Sequence, residues 1–60
     1  MNQNITYNLT IIINSNDIRY YSSISLIELI SLLQEYSPKT YHIRVTTLIN
    51  GLFNKIDTIS

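Results

Sequence analysis

The 60-residue chain has no cysteine, so neither a disulfide framework nor a thiolate zinc site can staple it. Its single glycine, Gly51, excludes the glycine-rich loops that bring several backbone N–H groups to a phosphate. With one histidine, His42, no serine has a plausible base and orienting acid. Charged residues make up 13% of the chain, four basic against four acidic, which leaves no electrostatic footprint for nucleic acid or an anionic membrane. Nor is there a long apolar run. The densest, Ile24 to Leu33, is short and is interrupted by Glu28 and Ser31, so no membrane span is expected. No basic region followed by a long apolar one opens the chain, and no export signal is expected. Alanine is absent, and the bias toward Ile, Asn and Tyr is that of AT-rich codons, as in many organelles, some bacteria and some viruses.

What is present is aliphatic. Hydrophobic residues are 45% of the total, well away from the charge-rich, apolar-poor composition of disorder. A chain this short buries only about 60% of the surface its unfolded form exposes. Stability must therefore come from Ile and Leu burial or from a partner, and low charge predicts poor solubility for the isolated chain. One domain, residues 1–60, is expected.

Ile5, Tyr7, Leu9, Ile11 and Ile13 recur with period two, the pattern of a half-buried strand over about 5–13. Asn14-Ser15-Asn16-Asp17 reads as a turn, because Asn and Asp bond their own backbone and tolerate left-handed conformations. A second strand over about 18–22 follows, with Ile18 and Tyr20 on one face, and the two form a hairpin. The period then changes. Leu26, Leu29, Ile30 and Leu33 fall at i, i+3, i+4 and i+7, opposite Glu28, Ser31 and Glu35, which predicts a helix over about 26–36. Ser25 and Glu28 have capping-box spacing, with Ile24 placed to staple onto Leu29. Ser37-Pro38 ends the helix. Alternation returns over about 40–49, and Asn50-Gly51 is a strong hairpin signal leading to a last strand over about 52–59. The expected fold is α+β, ordered ββαββ, with one mixed sheet packed against a single helix.

Chemistry is sparse. His42 shares a strand face with Arg44 and Thr46, and a metal site would need further ligands converging on it. Asp17, Glu28, Glu35 and Asp57 are scattered and read as solvated charges rather than an acid–base pair. Tyr7, Tyr20, Tyr21, Tyr36 and Tyr41 could stack on bases, but such surfaces pair aromatics with a basic groove, which is missing here. They are expected to pack strand faces or rim a protein contact. Asn4-Ile5-Thr6 and Asn8-Leu9-Thr10 match the glycosylation acceptor pattern, and chance on a strand accounts for both. No catalytic, cofactor-binding or metal residue is assigned, no cofactor is expected, and catalysis by this chain is not expected.

The stretch Leu9-Thr10-Ile11-Ile12-Ile13-Asn14-Ser15-Asn16-Asp17-Ile18, followed by Ser23-Ile24-Ser25-Leu26-Ile27-Glu28-Leu29-Ile30, resembles the start of the ThiS/MoaD-type β-grasp sulfur carriers, which are ubiquitin-like. Ile49-Asn50-Gly51-Leu52-Phe53-Asn54-Lys55 resembles a later turn segment of that family. The resemblance covers about two-thirds of the chain. It implies a β-grasp-like fold and a protein of thiamine biosynthesis, activated by an adenylating enzyme and delivering sulfur to the thiazole synthase. Versions encoded in red-algal plastid genomes imply a plastid (chloroplast stroma) location, with the cytoplasm otherwise. The family's C-terminal Gly-Gly has no counterpart in Asp57-Thr58-Ile59-Ser60, so no residue inherits the carrier role and a divergent or truncated relative is expected. The alternative is a small non-catalytic accessory subunit that pairs its sheet edge with a protein partner. A carrier should be monomeric, whereas an adaptor alone should oligomerise or aggregate.

Overall fold

The computed structural model describes residues 3–36 and 42–59. In chain order the elements are β1 (Ile5–Asn14), β2 (Asp17–Ile24), α1 (Leu26–Tyr36), β3 (His42–Ile49) and β4 (Leu52–Thr58). The ββαββ order and the α+β class are those expected, while residues 40 and 41 of the expected third strand lie outside the described residues. The strands form one sheet in the order β2-β1-β3-β4.

The mixed sheet expected from the sequence is instead antiparallel at each pairing. β2 and β3 both run opposite to β1 and are parallel to each other, but β1 lies between them. The helical crossover that would have joined adjacent parallel strands therefore spans one strand further, and no parallel ladder forms among the described residues.

Odd residues of β1 face the helix. Leu9 stands opposite Tyr21 on β2 and Val45 on β3, and Ile11 stands opposite Arg19 and Ile43. Leu9 and Ile11 are fully buried and Ile43 nearly so; with Ile24, Leu29, Tyr36 and Val45 they form the core. Each such aliphatic side chain contributes about 1.5–3 kcal/mol by leaving water.

β2 continues past its expected end, through an irregularity between the Tyr7 and Leu9 pairings. Ser23 there has φ 54°, a left-handed conformation uncommon for a residue with a Cβ. Its N–H donates to Asn8 Oδ1 at 3.0 Å, which compensates the interrupted ladder. The detour returns Ile24 to the core, directly before the helix.

The helix starts as the sequence predicts. Ser25 Oγ accepts the Glu28 N–H at 3.2 Å, and Glu28 Oε1 accepts the Ser25 N–H at 3.5 Å. Ile24 and Leu29 both join the core, as a staple requires. The buried stripe, however, is Leu29, Leu32, Leu33 and Tyr36. Leu26 and Ile30, expected inside, are 53% and 47% exposed. The spacing i, i+3, i+4, i+7 occurs twice in this helix, and the second set prevails because Tyr36 is anchored on β2, as described next.

Candidate functional site

The helix packs on the sheet face that carries Leu9, Ile11, Ile43 and Val45. At its C-terminal end Arg19 Nη1 donates to Tyr36 Oη at 2.8 Å, and the Tyr21 and Tyr36 hydroxyls lie 3.1 Å apart. The Arg19 guanidinium also sits 5.4 Å from the Tyr36 ring centroid. The Tyr21 hydrogen bond, then that from Arg19, holds the Tyr36 phenol below its ordinary range. Tyr21 is pushed up, chiefly by the same bond to Tyr36. The arrangement fastens α1 over β2; it presents no nucleophile to a cleft.

On the other side of the helix the sheet is open. A groove of about 490 Å³ runs between Leu29 and Leu33 of α1 and Val45, Thr47, Lys55 and Asp57 of the sheet. Its walls are mostly apolar, and it continues onto β4, the last strand of the sheet. Every residue of β4 is exposed. Leu52, Phe53 and Ile56, with Ile59 just beyond, hold large apolar side chains in water. The register divides them, Leu52 and Ile59 on the helix side and Phe53 and Ile56 on the far face, so both sides of this edge are apolar.

The backbone of that edge is defined by its other side. β4 pairs with β3 in constant register from Arg44↔Thr58 to Thr47↔Lys55, and the Ile59 N–H donates to the Ile43 carbonyl at 2.9 Å. Antiparallel ladders alternate, so Lys55, Asp57 and Ile59 direct N–H and C=O toward β3. Ile56 and Thr58 direct theirs outward. Lys55 and Asp57 lie on the helix side of the sheet, 3.6 Å apart. Ile56 lies on the opposite face, across from Thr46.

The residues weighed for chemistry do not converge. His42 is exposed, opposite Ile12 on the face away from the helix, which it shares with Arg44 and Thr46. Asp17 pairs with Arg19 at 3.4 Å, Glu28 belongs to the helix cap, Glu35 is exposed, and Asp57 faces Lys55. Among the described residues no group of three His, Cys, Asp or Glu could hold a metal ion. The tyrosines divide between faces: Tyr7 lines the groove, Tyr21 of β2 meets Tyr36 at the end of α1, and Tyr20 is exposed on the far face with Ile18. Tyr41 lies outside the described residues. No described helix is long and apolar enough to cross a membrane.

Lys55, Ile56 and Asp57 were not legible as a unit, because their importance depends on β4 being an edge. The one available signal was a cation and an anion two residues apart on a strand. No family model, no curated protein and no solved structure matches the chain.

Proposed function

We propose that this chain is a non-catalytic protein-interaction module that extends its sheet at β4. One observation carries the reading: β4 is the edge strand of the sheet, exposed along its whole length, with four large apolar side chains on or beside it and no strand on its outer side among the described residues. Added strands gain main-chain hydrogen bonds from such an edge and specificity from alternate side chains. The groove beside α1 supplies apolar surface on the helix side of the same edge.

The substitution Ile56→Pro removes one outward N–H without touching the β3 ladder, the position where a strand tolerates proline. Full-length chain purified from its native source should bring down a protein, identified by mass, that the I56P chain loses while its circular dichroism is unchanged. Equal recovery by both chains would refute edge pairing. The small ββαββ fold is compatible with a β-grasp lineage, and the thiamine-pathway carrier role belongs to that resemblance. An intact mass showing a C-terminal thiocarboxylate would move the conclusion to it.

A further inference from the structure

Resting on the interaction reading, we infer that the strand pairing with β4 is β4 of a second copy of this chain, in one register with Ile56 on the two-fold axis. Two identical edges meet antiparallel about such an axis, and the pleat requires paired residues to face the same way. The register can therefore move only so that a single residue sits on the axis. Centring on Lys55 puts lysine opposite lysine, and centring on Asp57 puts aspartate opposite aspartate. Like charges directly opposite are destabilising. Centring on Ile56 sets each Lys55 opposite Asp57 of the second copy, twice by symmetry.

Ile56 is also a residue whose N–H and C=O point outward, so the axial pair forms two backbone hydrogen bonds. Its side chain meets its counterpart on the face away from the helices, and it is 56% exposed in the single chain. A lone edge lysine ordinarily prevents strand addition. Lysine with aspartate two residues on does something narrower: it permits one self-register and penalises its neighbours. The Lys55 and Asp57 side chains, 61% and 56% exposed, are open to exchange their weak in-strand contact for cross-strand ones.

Sedimentation equilibrium of the full chain should show a dimer, with the Ile56 and Thr58 amides protected from hydrogen exchange. Lys55→Asp alone, or Asp57→Lys alone, should weaken association about tenfold, because both symmetric pairs turn repulsive. Mixing the two single variants should restore a heterodimer, and the double exchange K55D/D57K should restore the homodimer. These positions are exposed, and unchanged circular dichroism confirms folding of each variant. A parent chain that stays monomeric overturns self-pairing, as does association indifferent to the reversals. If a different protein protects the Ile56 and Thr58 amides instead, self-pairing falls while the interaction reading stands. If nothing protects them, both fall.

Discussion

Truncating leucines along α1 tests which way the helix faces. Leu29 is 6% exposed and lies in the core, so Leu29→Ala leaves a cavity and should cost about 2–5 kcal/mol. Leu26 is 53% exposed. Full burial of a leucine contributes about 1.5–3 kcal/mol, and Leu26 loses about half its exposure, so Leu26→Ala should cost about 1 kcal/mol or less. A domain of this size has a total stability of about 3–9 kcal/mol, so at the low end of that range the Leu29 variant is unfolded in plain buffer. Urea titrations followed by circular dichroism should therefore be run in a fixed concentration of sodium sulfate, which strengthens burial and raises every midpoint. With a slope near about 1 kcal/mol per molar urea, Leu26→Ala should lower the midpoint by about 1 M at most. Leu29→Ala should lower it by more than about 2 M. Equal losses at the two positions would refute the orientation and place the helix on its first leucine set.

Three further outcomes are expected. Ser25→Ala, which removes the acceptor for the Glu28 N–H, should cost about 1 kcal/mol of unfolding free energy by the same titration. Gly51→Ala meets no atom within 4 Å but must keep φ 80°, so it should cost about 1–2 kcal/mol from backbone strain alone. In ultraviolet or NMR titration, Tyr36 should ionise below the phenol value of about 10 and Tyr21 above it, and Tyr21→Phe should return Tyr36 upward. The linked stability terms have opposite signs. The Tyr36 contribution is present above the unfolded phenol value and is lost as pH falls through its lowered folded value. The Tyr21 contribution is present below the unfolded value and is lost as pH rises through its raised one.

The elements were legible because each rests on local chemistry. Period-two alternation marks β1, Asn50-Gly51 with φ of 53° and 80° makes the last hairpin turn, and the Ser25–Glu28 box starts the helix. What depended on distant partners was not legible. Nothing in the segment Ile18–Ser22 shows that Arg19 and Tyr21, rather than Ile18 and Tyr20, would face the helix. That choice follows from the pairing of Ile11 with Arg19 and from the Tyr36 anchor. The helix orientation was ambiguous for the same reason, since two leucine sets fit one period. The candidate site was the least legible part: Asp57 read as one of four scattered carboxylates until the strand order placed it beside Lys55 on an edge.

The position of β1 bears on how the chain survives its own synthesis. β1 meets β2 across a short turn, but its other side waits for β3, where Ile12 reaches His42 and Ile5 reaches Ile49. A hairpin closes in about 1–10 μs, whereas a ribosome adds about 5–20 residues each second. For an interval on the order of seconds the nascent chain thus has β1 and β2 without β3, a hairpin only marginally stable alone, with Leu9 and Ile11 beside an unpaired edge. The apolar centre of the mature sheet is, during that time, its most adhesive border, and the arrival of β3 is what closes it.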